Sequence, residues 1–420
     1  MSISVEANKG ELAPEEQKRL KADLHRSLRR NKIRASMLVA PLVIFIIVTF
    51  VAPIGNMLYR SVDDPLVNEF MPQTTAALEN WDEQQLPDEA IYAALAQDII
   101  EGRKAKTIGK AAKRLNYEKS GMRSLIMGTS RKHKKLQAPY KESLVDIKKG
   151  WGDIDNWKVI KRLGASITAS YYINAFDMET SPEGEVSFVD PKEQIYLKLF
   201  WRTIWMSMLI TGMTVLLGYP VSYLLASLPL KTANVLMILV LLPFWTSLLV
   251  RTSSWIAMLQ AQGILNDLLV WFGIIADEAR IQMIYNAIGT VVAMTHILLP
   301  FMILPLYSVM KTVPPSYLRA ARSLGATPWT AFWQVYLPQT VPGISAGAIL
   351  VFILSIGYYI TPALVGGQSG QFIGNLIAYH MQGSLNWGLA AALGVMLLVL
   401  VLGIYGVYNR VVGTNSVKLG

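Results

Sequence analysis

The sequence has no cysteine, which excludes a disulfide framework and any thiolate metal site and leaves the redox compartment unread. It is poor in charge: 16% of its 420 residues are Asp, Glu, Lys or Arg and 52% are hydrophobic, whereas soluble domains carry about 25% charged residues. There is no G-x-x-x-x-G-K-[ST] phosphate loop, no H-E-x-x-H pair and no G-x-S-x-G turn, so the residues for three common catalytic chemistries are missing. The 4 histidines are scattered. His296 and His380 have no carboxylate neighbour in sequence and are expected to pack or to face solvent. The chain is expected not to be an enzyme and to bind no metal or cofactor of its own.

Long uncharged stretches take the place of those motifs. A hydrocarbon core about 30 Å thick needs about 20 mostly apolar residues per helix. Such stretches run from Ala35 to Tyr59, Thr203 to Leu230, Thr232 to Val250 (continuing past Arg251) and Ile281 to Met310. From Ser323 to Asn409 there is no ionised side chain, and Pro and Gly clusters divide this region into spans near Leu337 to Leu364 and Leu389 to Val412. That predicts an all-α membrane protein with six transmembrane helices, none containing Asp or Glu. The first apolar run follows a long polar leader and is longer than a signal-peptide core, so it is expected to be a retained helix.

Lys and Arg set the expected orientation, because short cytoplasmic loops are enriched in them. The leader, residues 1–34, carries Lys18, Arg19, Lys21, Arg26, Arg29, Arg30, Lys32 and Arg34, which puts the N-terminus inside. Lys231, then Lys311, Arg319 and Arg322, and finally Arg410 and the 413–420 tail with Lys418, also fall inside, giving an N-in/C-in arrangement. The outer loops hold Asp267, Asp277 and Glu278 against Arg280, or, from Gly366 to Gly388, no formal charge. Leu20, Leu24 and Leu28 give the leader an amphipathic pattern that suits either anionic lipid or a solvated basic tail.

After the first transmembrane helix, 35–60, comes an extracytoplasmic insert, 61–195. Asp88 to Ile100, Thr107 to Leu115 and Asp155 to Leu163 have helical patterning, which predicts a small helical domain. The run Arg131, Lys132, His133, Lys134, Lys135 lacks aromatic interleaving and reads as solvated surface, not a nucleic-acid site. Residues 196–412 form the expected five-helix core.

Within that core, the loop 311–338 reads Tyr317-Leu-Arg319-Ala320-Ala321-Arg322-Ser-Leu-Gly325, then Val335-Tyr-Leu337-Pro338. Small Ala320 and Ala321 allow close approach to another surface, Gly325 permits a helix-ending turn, and Pro338 suits the first turn of the next membrane helix. The loop resembles the signature of ABC importer permeases: Glu-Ala-Ala, three residues, Gly, nine residues, Ile, one residue, Leu-Pro. Every spacing matches. Arg319 stands where the family most often has Glu, and Val335 where it has Ile.

Further segments resemble the spermidine/putrescine permease-like family. These are Pro243 to Ser247 with Val250, Arg251, Trp255 and Gly263 to Asn266; Leu299 to Tyr307; Tyr359 to Gly367; and Ile373 to Asn375 with Asn386 and Trp387. The resemblance implies the type I ABC importer permease fold in a bacterial inner membrane. Its expected partners are a cytoplasmic ABC ATPase dimer, a second and different permease subunit, a periplasmic substrate-binding protein and lipid. ATP and Mg would be used by the partner ATPase, and polyamines would be imported by alternating access. The rival readings are an ion-coupled secondary transporter and a membrane receptor or scaffold presenting the insert.

Candidate lining residues of the passage are Thr246, Ser247, Tyr358, Tyr359, Asn375 and Tyr379. Arg251, close to membrane depth, is expected to snorkel to the outer surface, with lining the passage as the alternative. Pro220, Pro243, Pro300, Pro305 and Pro362 are expected to kink their helices, and Gly343 and Gly347 to admit a neighbouring helix.

Overall fold

The computed structural model describes residues 14–412, and the side chains of residues 26–410. The leader residues 1–13 and the 413–420 tail, with its Lys418, lie outside the described residues, as do the side chains of Leu20 and Leu24. The chain divides into two compact units, Met1–Tyr59 and Arg60–Gly420.

In the first unit the leader is not a separate element. One helix, Pro14–Ile46, passes through a π-helical turn, Ile47–Val51, into Ala52–Arg60. Pro53 lacks an N–H and its ring crowds the preceding turn, so the wider turn just before it keeps the helix continuous.

Among the described residues of the whole chain, five helices are long and apolar enough to cross a membrane: Arg26–Arg60, Tyr196–Ser227, Ala287–Thr312, Pro328–Gly357 and Trp387–Arg410. A bent pair, Leu230–Trp245 with Leu248–Trp271 at 96°, makes a sixth if counted as one broken span.

The expected third span is therefore not straight, and its second half contains Asp267. Pro243 forces a tight turn at Leu242–Trp245, Thr246 is extended, and the Ser247 side chain accepts from the Val250 N–H to start a new helix. The fourth span begins at Ala287 and not near Ile281, because Tyr285 is left-handed (φ 61°) and Asn286 caps the helix through Gly289 N–H at 2.9 Å. The fifth ends at Gly357, before the expected Leu364; Tyr358 and Tyr359 break it from the short helix Ile360–Val365. The helices run through Pro220, Pro300 and Pro305 without a break.

In the second unit, the fourth span packs between the second and the fifth. A Cβ on Gly347 would lie 2.6 Å from Met302 Sδ, and one on Gly343 would lie 3.0 Å from Val309 Cβ, so both glycines admit the fourth span. Buried hydroxyls bond to backbone, as from Ser222 to Ile303 O (3.3 Å) and from Thr290 to Gly370 O (3.1 Å).

The insert is helical, as its patterning predicts, with helices at Glu89–Lys104, Ile108–Glu118 and Ile154–Leu163 among others. Asp88 and Asp153 cap two of these, accepting from Ile91 N and Asp155 N. Its core centres on Trp151 and Trp157, both fully buried. Tyr92 Oη and Trp157 Nε1 each donate to the Trp151 carbonyl, at 2.7 and 3.0 Å, and Trp151 Nε1 donates to Thr129 at 2.8 Å. One departure from an all-helical chain is a small antiparallel hairpin, Met178–Thr180 with Val186–Phe188, turned at Gly184 (φ 89°).

A buried ion cluster ties the insert's ends together. Arg114 Nε meets Asp64 at 2.5 Å, Arg114 Nη1 meets Glu118 at 2.8 Å, and Arg162 reaches Glu118 at 3.5 Å. Burial works against the Arg114 charge, but Glu118 and Asp64 outweigh it and hold the guanidinium above its ordinary range. The Arg114 guanidinium also lies over the Tyr171 ring, 4.8 Å from its centroid.

Tyr171 in turn sits against the first residues of the sixth span, where a Cβ on Gly388 would lie 2.2 Å from the ring. Tyr117 Oη donates to the Ser384 carbonyl (2.9 Å), as does Lys113 Nζ. Asp177 accepts from the Ile195, Tyr196 and Leu197 N–H groups at 3.0, 3.0 and 2.7 Å, capping the second span. The insert is thus locked onto one end of the bundle.

Candidate coupling site and passage

The loop 311–338 lies at the bundle end opposite the insert, since the fourth span separates Ala287, which bonds Ser369, from Lys311, which bonds Ala226 O. Pro315 opens a short helix, Pro315–Ser323, whose inward residues are Leu318 and Ala321. Arg319, Ala320 and Arg322 are exposed.

Gly325 has φ 90°, its N–H donates to Arg322 O (3.0 Å), and Ala326 N–H donates to Ala321 O (3.1 Å). This pair of bonds is a Schellman turn with Gly at its left-handed position. A Cβ there would meet no atom within 4 Å, so Gly is required in this chain by backbone conformation and not by local crowding.

Thr327 caps the following helix by accepting from Thr330 N–H. The membrane helix thus begins at Pro328, not at Pro338 as the sequence pattern implies. Val335 lies in a π-helical turn, Phe332–Tyr336, and Leu337 and Pro338 resume the α-helix after it. As at Pro53, the wider turn makes room for a proline within a continuous helix.

An aromatic cluster joins this turn to the second span. Tyr223 meets Tyr336 edge-on at 5.3 Å, and Tyr219 and Tyr223 each meet Phe332 edge-on at 6.0 Å. Tyr219 and Thr340 hydroxyls lie 3.1 Å apart. Displacement of the loop would therefore be felt directly by the second and fifth spans. Sequence reading missed Tyr219, Tyr223 and Phe332: the two tyrosines share a helix face, but nothing in their spacing marks the distant Phe332 as their partner.

The candidate passage residues fall into separate groups. Trp255 Nε1 donates to His296 Nδ1 (3.2 Å), and Arg251, one turn before Trp255, lies on the same helix face. Arg251 Nε is buried without a hydrogen-bond partner among the described residues. Asn375 Nδ2 donates to Tyr359 O (2.7 Å), and its Oδ1 accepts from Phe372 N–H.

Thr246 and Ser247 sit at the break of the bent pair, where Thr246 bonds Pro243 O. Tyr379 is exposed beside His380. His380 is bonded to Tyr196 and Ser384, and burial pushes its pKa down. The structure thus joins Tyr359 with Asn375 and places Ser247 one turn before Arg251, whose N–H donates to the Ser247 carbonyl (3.1 Å).

A bundle of long apolar helices with a short, capped helix at one end defines a multi-span membrane protein. Residues 199–413 match the family model described as binding-protein-dependent transport system inner membrane component, and the chain belongs to that family. The chain is 36% identical over 216 residues to the spermidine/putrescine transport system permease protein PotB of Haemophilus influenzae, covering 51% of this chain and 75% of the relative. It is 34% identical to PotB of Escherichia coli K12 over 207 residues, 49% of this chain and 74% of the relative. A crystal structure of a bacterial ABC transporter that imports alginate overlaps 53% of this chain and 86% of its own, at 20% identity and a TM-score of 0.40. The family match begins at residue 199, beyond the insert.

Proposed function

We propose that this chain is one permease subunit of an ATP-driven, binding-protein-dependent importer of polyamines such as spermidine and putrescine, working by alternating access. The observation that carries this reading is the Arg319–Pro338 loop: an exposed short helix, closed by a Schellman turn at Gly325 and bound to two membrane spans through Phe332 and Tyr336. Such an element has a use where a separate cytoplasmic ATPase dimer pushes on it. The polyamine assignment is supported by the two PotB relatives.

The spans at Tyr196–Ser227, Ala287–Thr312, Pro328–Gly357 and Trp387–Arg410 contain no carboxylate, so they offer a polycation no strong anionic site. We assign selectivity mainly to an external binding protein, with the tyrosines and hydroxyls of the passage forming a weaker route. The same lack of span carboxylates disfavours an ion-coupled secondary transporter. In this reading a second, different permease subunit completes the passage. The bundle end that carries the loop faces the cytoplasm of a bacterial inner membrane, and ATP and Mg act only on the ATPase.

Copurification tests the reading. A tagged chain should bring down a Walker-A protein and a second permease from the native membrane. Recovery of a self-contained chain that takes up spermidine on an ion gradient would contradict it.

A further inference from the structure

We propose that the ATPase cleft receiving this loop is acidic, so that the docking pair has the opposite polarity to one built on the Glu that Arg319 replaces. The proposal rests on the importer reading above and names the chemistry of its partner surface.

Helix Pro315–Ser323 turns Leu318 and Ala321 inward, where Leu318 packs against the cluster around Met310 and Tyr336. Its outward face is Arg319, Ala320, Arg322 and Ser323. Residues three apart share a helix face, so two guanidinium groups project together across one small side chain. Neither forms an ion pair among the described residues.

No acid of this chain lies near enough in sequence to neutralise them, because after Glu278 the chain contains no Asp or Glu at all. Lys311 at the same bundle end adds a further positive charge, its ammonium held on Ala226 O (3.2 Å). Beside the arginines, Leu324 is 89% exposed and Trp329 is 71% exposed. Leu324 directly precedes the left-handed Gly325 and is held in place by the capped turn.

A basic, rigid face flanked by two bare apolar anchors fits a cleft with carboxylates around an apolar socket. A basic cleft would bury like charges against each other, which disfavours that pairing and excludes wrong partners. Two guanidinium forks suit bidentate pairing with the carboxylates of such a cleft.

The test uses the full chain assembled with its second permease and ATPase, and measures ATPase retention between about 0.1 and about 0.5 M salt, a range that strongly screens exposed charges. Retention should fall with salt. Arg319→Glu combined with Arg322→Glu should weaken retention at low salt by about tenfold or more, and Arg319→Lys should stay near the native value. Reversing a cleft carboxylate of the ATPase to Lys should restore the double variant. Both positions are exposed, so the thermal midpoint of the double variant should match the native chain.

If native and double-variant chains hold the ATPase equally at every salt concentration, the acidic cleft is wrong while the importer reading stands. If the double variant keeps its ATPase and loses only binding to phosphatidylglycerol vesicles, the face is a lipid contact and the proposal is overturned. If the native chain retains no ATPase under any condition, the importer reading itself fails.

Discussion

The insert buries an ion cluster beside its tryptophan-centred apolar core, whereas the long spans of the bundle pack without a single carboxylate. In the insert, Arg114 meets Asp64 and Glu118 out of solvent, Asp98 accepts from the Thr74 N–H and hydroxyl, and Tyr92 and Trp157 share the Trp151 carbonyl. The long spans of the bundle contain no carboxylate and rely on glycine contacts, hydroxyl bonds to backbone and stacked methionines. Water can solvate an opened insert but not an opened span, so a buried ion pair is tolerated only in the former. The two meet where Tyr171 sits against Gly388 and where Tyr117 and Lys113 bond the Ser384 carbonyl.

Breaking the charge cluster should have the largest effect. Arg114→Ala leaves Asp64 buried without its counter-ion and Glu118 with only Arg162 at 3.5 Å, and should destabilise the insert by about 3–5 kcal/mol. Limited proteolysis should show cleavage between residues 61 and 195 while the bundle stays inserted. Equal loss of both regions would mean that the insert and bundle unfold as one unit.

The matching cut in the bundle is Gly347→Val. Its Cβ would lie 2.6 Å from Met302 Sδ, and the overpacking should cost about 1–3 kcal/mol. Thermal unfolding in detergent should show a lowered midpoint for the bundle with the insert's tryptophan signal unchanged at lower temperature.

At the coupling turn, Gly325→Ala should cost about 1 kcal/mol through its φ alone, and Gly325→Asn less, because Asn tolerates the left-handed region. If Asn proves as damaging as Ala to loop order, measured by hydrogen exchange at residues 319–326, the backbone account of this glycine is wrong.

The smallest effect concerns His380 at the junction. Burial lowers its pKa from 6.5, so folding favours the neutral ring. Its contribution is fully present above that ordinary value and drains away as the pH falls through it toward the depressed one. Docking of the insert, followed by cross-linking Lys113 to the Ser384 region, should weaken modestly below neutral pH, and His380→Gln should flatten that slope.

Much of the bundle was legible because the bilayer demands long apolar runs that composition alone reveals, and the loop was legible because its spacing is set by a turn that needs Gly325. Span ends were not. Tyr285, Asn286 and Ser247 decide them through φ and caps that hydropathy does not register, and the 96° break follows from what surrounds Pro243, whereas Pro220, Pro300 and Pro305 leave their helices unbroken. The helix start at Pro328 was hidden because a π turn rescues Pro338 from its usual role at a helix start. In the insert, local caps such as Asp88 could be read, but the pairing of Asp64 with Arg114, fifty residues apart, could not. For the passage, Arg251 could be read as a charge close to membrane depth, whereas the bond between Trp255 and His296, from different helices, could not.

The account depends most on the loop as the place where ATP hydrolysis reaches the membrane. Proteoliposomes holding the two permeases and the ATPase, supplied with spermidine-loaded binding protein, should take up spermidine only when ATP is present on the ATPase side. Gly325→Trp should abolish that uptake while leaving the chain inserted. Uptake that proceeds without ATP, or that is unchanged by Gly325→Trp, would contradict it.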